Sequence, residues 1–317
     1  MMVQQKTICI ILTLFSIHVL FHSNSFSDTI RVPQDFITIQ GALDNVTTGD
    51  TVLVACGTYY EHNILMTSGA CLRSETGDPQ CVIIDAQEQR GGILCTGVDN
   101  TTRIEGVTIT HGVFDERGKA ADIFCEDGAA PVIQRCNIVV NAGDGIGVGL
   151  TGTAPSSPTI RDCIIAYNSW IIAKGVACGA YSDITIIGCT IVRNGAEGIR
   201  LTSNSTAVIQ NSIIVFNDDW GVSCDDSSEA LLMCCDVFGN TGGDWGGCLS
   251  DQPGLNGNIA VDPSFCDIDG YDLGLLPDSP CIEGNHPAGA ACSLIGALSE
   301  GCGVIGIESI SWGKIKE

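Results

Sequence analysis

The chain has 317 residues, of which 37 are acidic and 14 basic, so its net charge is −23 at pH 7. Such a surface repels the phosphates of nucleic acids and of anionic membranes, which excludes nucleic acid as a partner. Charged residues make up only 16 % of the chain and glycine contributes 39 residues. This composition favours a sheet-rich protein with many tight turns.

The first 27 residues have the form of a secretory signal peptide. A single charged residue, Lys6, precedes an apolar run over residues 8–21, and Ser25 and Ser27 stand at −3 and −1 of a cleavage site before Asp28. The apolar run is short for a membrane span. We therefore expect an exported protein, secreted, periplasmic or at the cell surface, that is monomeric and has no membrane span in the mature chain.

A nine-residue pattern, I-x-x-[C/S]-x-[I/V]-x-x-N, then repeats along the chain. It begins as IQRCNIVVN at Ile133 and returns as IRDCIIAYN, IIGCTIVRN, IQNSIIVFN and LMCCDVFGN. An earlier and degenerate copy, IEGVTITHG, starts at Ile104 and ends in Gly112. The closing asparagines are Asn141, Asn168, Asn194, Asn217 and Asn240.

A second pattern, Gly-[I/V]-x-[C/L/V], follows most of these asparagines after a short turn, as in GIGV at Gly145 and GIRL at Gly198. Each period thus contains three short strands and no helical stretch. A repeat of 23 to 30 residues with three strands predicts one coil of a single-stranded parallel β-helix, an all-β solenoid. Equivalent side chains then stack in columns, and the asparagine amides can hydrogen-bond from coil to coil.

The same stacking bears on the 17 cysteines that would remain after cleavage. In one inward column of cysteines a coil has Ser212 instead, and in a second column two coils have Val148 and Leu201. A packing position tolerates such replacements, whereas a cysteine bonded to a partner cannot be replaced in this way. We therefore expect packing for the column cysteines and disulfides in the C-terminal tail, with their pairing left open. The first column holds Cys136, Cys163, Cys189 and Cys235, the second Cys95, Cys125, Cys178 and Cys224, and the tail Cys248, Cys266, Cys281, Cys292 and Cys302.

The repeat resembles the right-handed β-helix of the pectate lyase-like superfamily. Residues 30–61 are similar to the family's entry segment, with the stretch TIQGALDNV as an N-terminal capping helix. The tail, with DPSF, YDLG and SPCIEG, resembles the closing segment of exported bacterial β-helix surface proteins. With the signal peptide expected over 1–27, the resemblance implies a capped β-helix over 28–250 and an irregular Cys-rich closing segment over 251–317.

The turns after the asparagines carry the candidate site. Asp144 and Glu197 each lie three residues past an asparagine and two coils apart, about 10 Å at the strand spacing, a separation suited to two carboxylates that flank a glycosidic bond. Tryptophans in these turns could stack on sugar rings. The candidate catalytic set is Asp144, Lys174, Arg193, Glu197, Asp218 and Asp219, and the candidate substrate-binding pair is Trp170 and Trp220.

Catalytic motifs of the family's enzymes are not matched in full: NDDWG is present, but the G-H-G and R-I-K motifs of polygalacturonase-like enzymes are absent. Three functions remain open. The first is a protein that binds or acts on extracellular polysaccharide or cell-surface glycan through an outer groove. The second is a polysaccharide lyase or glycoside hydrolase, for which the resemblance leaves Ca²⁺ open as a cofactor. The third is a structural, adhesin-like rod.

Overall fold

The structure is a computed structural model that describes residues 27–113, 121–169, 172–245 and 247–303. All but the last residue of the expected signal peptide, and Trp170 of the candidate site, lie outside these ranges.

The described residues form short strands separated by tight turns, with very little helix. In chain order the elements are β1 (Thr29–Val32), α1 (Ile39–Leu43), β2 (Thr51–Val54), β3 (Gly57–Tyr59), β4 (Ile64–Leu65), β5 (Cys71–Ser74), β6 (Val82–Asp85), β7 (Ile93–Thr96), β8 (Arg103–Glu105), β9 (Thr108–Thr110), β10 (Ala121–Glu126), β11 (Val132–Gln134), β12 (Asn137–Val139), β13 (Asp144–Val148), β14 (Thr159–Arg161), β15 (Ile164–Ala166), β16 (Val176–Cys178), β17 (Asp183–Ile187), β18 (Thr190–Val192), β19 (Ile199–Leu201), β20 (Thr206–Gln210), β21 (Ile213–Val215), β22 (Val222–Cys224), β23 (Glu229–Met233), β24 (Asp236–Phe238), a 3₁₀ turn (Gly247–Leu249), β25 (Phe265–Asp267) and β26 (Asp272–Leu275).

Three parallel sheets run along the molecule, as predicted for a β-helix. Sheet A has the order β1-β2-β5-β8-β11-β14-β17-β20-β23, sheet B the order β3-β6-β9-β12-β15-β18-β21-β24, and sheet C the order β4-β7-β10-β13-β16-β19-β22. From β2 to β22 each coil contributes one strand to each sheet, so neighbours in a sheet come from successive coils. The strands β25 and β26 pair separately and antiparallel.

The core is the interior of this coil. In sheet A, Ile133, Ile160 and Ile186 pair in register on successive strands, and all three are fully buried. Because side chains alternate across a strand, the residues between the inward ones face outward. The short apolar alternation of the sequence is therefore sufficient to fill a continuous apolar column.

The asparagines form a buried hydrogen-bonded ladder at the turn from sheet B to sheet C. The Nδ2 of Asn141 donates to Oδ1 of Asn168 at 3.0 Å, and the same bond continues through Asn194 and Asn217 to Asn240 at 3.0, 2.9 and 2.9 Å. Each Nδ2 also donates to an isoleucine carbonyl of the preceding coil, as in Asn194 to Ile165 at 3.1 Å. Beyond Asn240 the ladder ends on Asp244.

The ladder also explains the glycine of the second pattern. A Cβ on Gly175 would lie 2.6 Å from Ile191 Cγ2, 2.5 Å from the Gly198 carbonyl and 3.0 Å from Asn194 Nδ2. Any side chain there would displace both core and ladder. Glycine is thus required wherever the chain passes close to the asparagine amides.

The column cysteines pack in the core with free thiols. Cys163 Sγ lies 3.2 Å from the Arg161 carbonyl and 3.6 Å from that of Ile133, and Ser212 donates to the equivalent Gln210 carbonyl at 2.8 Å. Burial raises the pKa of Cys235 to about 12, so this thiol stays protonated and is neither a nucleophile nor a thiolate ligand. The expectation of packing was wrong for Cys224, which lies at the last coil and is disulfide-bonded to Cys248.

Four disulfides occur among the described residues. Three of them tie the tail to the last coils or to itself, in line with the expectation for the tail, whereas Cys281 is free and buried. The sequence did not indicate the fourth, which joins a pair close to the amino end. The pairs are Cys56–Cys81, Cys224–Cys248, Cys234–Cys292 and Cys266–Cys302.

Both ends of the coil are covered. Helix α1 contributes Ile39, Ala42 and Leu43 to the core beside the first coil, with Thr38 accepting from the Gly41 amide as its N-cap. At the other end Leu249 is fully buried and Trp245 Nε1 donates to the Val237 carbonyl at 3.1 Å. None of the helices in the described ranges has the length and apolar character to span a membrane.

Residues 259–303, which we call the strap, fold back along the outer face of sheet B. The strap buries Leu273, Leu275 and Ile295 against outward-facing residues such as Val192 and Val215. Tyr167 donates to the Ile268 carbonyl at 2.6 Å. The strap explains why β15 and β21 are apolar at every position, because the core covers one face of these strands and the strap covers the other.

Replacing Asn194 by alanine should destabilise the protein by about 3 kcal/mol or more, because buried partners in the two neighbouring coils lose their hydrogen bonds. Urea titration of wild type and variant measures this loss. Alanine at Asn100, an exposed turn residue, is the control and should change the free energy of unfolding by less than about 0.5 kcal/mol. Equal effects of the two substitutions would contradict a structural role for the ladder.

Stability should fall as the pH rises from about 4 to 8. Asp236 is buried beneath the strap, where its Oδ1 accepts from the Val261 amide at 3.1 Å, and burial raises its pKa from 3.8 to about 7. Between these values the folded chain binds more protons than the unfolded one, so stability is present at low pH and is lost through pH 7, by up to about 4 kcal/mol.

Asp236→Asn should flatten this pH dependence, since the amide does not titrate, and should leave a stability close to that of the protonated wild type. Unfolding midpoints measured from pH 4 to 8 give the comparison. The exposed Asp278→Asn is the control and should run parallel to wild type. Parallel curves for wild type and Asp236→Asn would be the opposite of what burial requires.

Candidate functional site

Four of the predicted site residues form one column at the edge where sheet C begins. The backbone stacks coil by coil: Gly145 N donates to Lys174 O at 2.9 Å, Gly175 N to Glu197 O at 3.1 Å and Gly198 N to Trp220 O at 2.9 Å. The residue directly before each glycine of the second pattern therefore stacks on its equivalent in the next coil. On successive coils this column consists of Asp144, Lys174, Glu197 and Trp220. Asp144 and Glu197 are therefore two strands apart, about 10 Å.

Asp144 is paired with the lysine of the next coil. Its Oδ1 accepts from the Lys174 backbone amide at 2.8 Å and lies 3.5 Å from the Lys174 Nζ. Asp144 is 4 % exposed. Burial raises the pKa of its carboxyl, and the neighbouring ammonium of Lys174 opposes that shift. This carboxylate orients Lys174 and has little contact with solvent.

Glu197 is likewise buried and engaged. Its Oε1 accepts from Arg200 at 2.7 Å and from the Ser223 hydroxyl at 3.3 Å. Arg200 is about half exposed. The ring of the next residue in the column, Trp220, is half-buried and lies against Gly243, where a Cβ would come within 2.5 Å of the indole. The accessible part of the column is thus mainly the Trp220 ring, because Lys174, two coils away, is 18 % exposed and its Nζ also donates to the Ile172 carbonyl at 2.7 Å.

The other predicted residues take different positions. Asp218 is exposed and Asp219 half-buried, both in the turn that leads to Trp220 but outside its column. Arg193 lies on the opposite side of the asparagine turn, where it pairs with Asp269 of the strap at 3.0 Å and lies over the Phe216 ring. The structure therefore separates Arg193 from the carboxylates with which the sequence grouped it.

A buried carboxyl that the sequence did not single out lies one coil before Asp144. Asp122 takes the place of a glycine of the second pattern, and Gly112 takes the place of an asparagine. An ideal Cβ on Gly112 would lie 1.6 Å from Asp122 Oδ1, so this carboxyl fills the space of the missing asparagine side chain. Both of its oxygens are without a hydrogen-bond partner among the residues that the structure describes. Burial, with Asp144 nearby, raises its pKa well above the usual range, which keeps it neutral.

These carboxylates do not offer a ligand set for Ca²⁺. Asp144 and Glu197 already bind Lys174 and Arg200, and Asp225 accepts from the Ser203 amide at 2.7 Å and the Ser227 hydroxyl at 2.8 Å. Calcium takes six to eight oxygen ligands. Two clusters of acidic and cysteine side chains in the described chain, around Glu75 and Asp272, contain cysteines that are disulfide-bonded. No step is therefore assigned to a metal.

Four arginines lie on the outer face of sheet A, among the acidic residues Glu105, Asp183 and Glu229 of the same sheet. These arginines alternate with buried core residues along their strands, and all of them except Arg73 are exposed. The Nε of the fourth, Arg73, is buried and makes no hydrogen bond within the described ranges. This face was not predicted, because the net charge of the chain contains no information on where its arginines lie. The arginine face comprises Arg31 in β1, Arg73 in β5, Arg103 in β8 and Arg161 in β14.

Comparisons with known proteins agree with the fold. The crystal structure of pectate lyase Pel9A superimposes with a TM-score of 0.56 at 14 % identity, over 83 % of this chain and 91 % of that one. At this identity the likeness concerns the fold. A search of curated proteins gave no match.

The family described as the right handed beta helix region matches residues 91–259, which is more than half of the chain. This range contains the asparagine ladder and the Asp144–Trp220 column. The chain belongs to the right-handed β-helix family.

Proposed function

We propose that the protein is exported and, as a single chain, binds extracellular polysaccharide along its outer surface without cleaving it. The observation that carries the proposal is the Asp144–Trp220 column, which places a lysine and a half-buried indole two coils apart along one edge. A polymer that lies parallel to the helix axis would meet these coils in succession. An indole face suits the apolar face of a sugar ring.

Binding is favoured over hydrolysis because of the state of the two carboxylates. A general acid or base has to reach the atom whose proton it transfers. Asp144 and Glu197 are 4 % and 5 % exposed, and each already pairs with a cation. Their separation is close to the upper end of the range for inverting glycosidases, about 6.5–9.5 Å, yet neither carboxyl group is open to a polymer outside the coil.

The shared fold of a pectate lyase supports a polysaccharide ligand and leaves lyase activity as the alternative. The third alternative, a structural rod, has no use for an accessible indole in line with a lysine. Incubation with uronate polymers, with and without Ca²⁺, separates the first two. Release of unsaturated, ultraviolet-absorbing products would show that the protein cleaves its ligand.

Trp220→Ala should weaken retention of the protein in affinity gels that contain its polysaccharide by about tenfold, the equivalent of one lost stacking contact. Tyr181→Ala is the matched control, since Tyr181 is 65 % exposed and lies outside the column; its retention should equal that of wild type. The panel should hold neutral and uronate polymers. Wild-type protein that no polymer retains, or a Trp220→Ala variant retained like wild type, would contradict binding at this edge.

The arginine face extends the proposal to acidic polysaccharides. Guanidinium groups bind carboxylates through paired hydrogen bonds, and a polyuronate laid across sheet A would meet several of them. Attraction between exposed charges decreases as salt screens it. We therefore expect any affinity for polyuronate to fall with salt, whereas affinity for neutral polymers should not.

The double variant Arg103→Gln, Arg161→Gln should reduce retention by polyuronate at low salt several-fold and weaken its salt dependence. Retention by neutral polymers should stay unchanged. Replacing the exposed Arg193 by glutamine is the control, because that arginine lies on another face. A loss of the same size for Arg193→Gln would mean that net charge, rather than this face, governs retention.

A further inference from the structure

A cavity of about 280 Å³ lies on the outer face of sheet B, away from the Asp144–Trp220 column and next to Arg161 at one end of the arginine face. Its floor is formed by Asn137 of β12 and Ile164 of β15, which pair in register. Pro79 lies on one side and Leu298 of the strap on the other. The cavity is the gap between the loop before β6 and the end of the strap.

Both walls are held to the sheet by hydrogen bonds from the same outward column that forms the floor. In that column Thr108, Asn137, Ile164 and Thr190 follow one another on successive strands. Thr108 donates to the Pro79 carbonyl at 2.8 Å, and Thr190 accepts from the Ala297 amide at 3.0 Å. Asn137 and Ile164 lie between the threonines, at the bottom of a gap about 10 Å wide, and each is only 3 % exposed.

The floor contains a polar group without a partner. Asn137 is 3 % exposed, and its side-chain amide makes no hydrogen bond to the described part of the chain. An amide that lines a cavity and has no partner in the described part of the chain suits a ligand that both donates and accepts hydrogen bonds.

The remaining lining combines an apolar wall with a charged rim. Ile164, Leu294 and Leu298 present aliphatic carbons. At the opening stand Arg135 and Asp162, both at turns between sheets A and B with left-handed backbone, φ 50° and 53°. Arg135 already pairs with Glu105, and the Asp162 carboxylate pairs with Arg161 Nε at 3.3 Å. Because the two rim charges are opposite, the opening favours no net charge on its ligand.

We propose that this cavity binds a single neutral pyranose. A pyranose has an apolar C–H face for the aliphatic wall, and its hydroxyl groups donate and accept, which matches the Asn137 amide and the two rim side chains. The volume is just below the usual range for ligand clefts, about 300–1,000 Å³, so it admits one ring and not a chain of rings. The pocket is separate from the Asp144–Trp220 column, and its test is independent of polymer binding there.

Methyl-labelled isoleucine in the full mature chain provides the test. Titration with D-galactose and D-glucose should shift the Ile164 methyl signal to saturation with at least one of the two sugars. D-galacturonate should bind more weakly. Asn137→Leu, which removes the amide at similar volume, should weaken binding at least about tenfold, as expected for an amide that loses its hydrogen bonds.

A second variant and a control test whether the methyl shift reports binding in the cavity. Leu298→Trp fills the cavity from the strap without touching the amide and should also abolish the shift, with folding checked by thermal unfolding. Asn100→Leu, in a distant exposed turn, should bind like wild type. The proposal is overturned if neither neutral sugar gives a saturable shift, if both pocket variants bind like wild type, or if galacturonate binds more tightly than the neutral sugars.

Discussion

The hydrogen bond between one asparagine amide and the next is the interaction on which this structure depends. A parallel coil has to make the same turn at each level, and every turn brings backbone polar groups into a region without water. A stacked amide satisfies these groups on both sides, because Oδ1 accepts from one neighbouring coil while Nδ2 donates to the other. A displacement by one residue would break the bonds to both neighbours, so the ladder holds the coils in register.

Register in turn decides what the surface can do. The residue before each glycine of the second pattern lies three positions after an asparagine in three of the four coils. In the coil of Lys174 the turn is longer, yet Lys174 still stacks between Asp144 and Glu197. A column with a cation, two buried carboxylates and an indole follows from the ladder. The same constraint forces the first coil of the series to fill the gap beside Gly112 with a neutral carboxyl from Asp122.

Much of the fold could be predicted because it repeats: inward isoleucines, asparagines and glycines recur at each coil, and one period implies the others. What could not be predicted depends on contacts that occur once. The strap meets sheet B through pairs as distant as Tyr167 and Ile268, and the Cys234–Cys292 disulfide joins two segments with no pattern in common. The position of Arg193 against the strap follows from the same contact.

The candidate site was predicted in part for the same reason. Spacing from the asparagines aligned Asp144 with Glu197 correctly, but spacing contains no information on burial. That the two carboxylates are withdrawn from solvent and paired with cations depends on Lys174 and Arg200, whose side chains turn back toward them. The arginine face was readable from outward positions next to buried ones, whereas the cavity over Asn137 depends on where the strap ends.

Hydrogen exchange of the asparagine side chains tests the central role of the ladder most directly. The Nδ2 hydrogens of Asn168, Asn194 and Asn217 can be followed by NMR in the native protein, with exposed Asn100 as an internal reference. If the ladder holds the register, these hydrogens exchange only when coils unfold, at least about a thousandfold more slowly than those of Asn100. Exchange at the rate of Asn100 would show that the amides are not bonded in this way and would contradict the account.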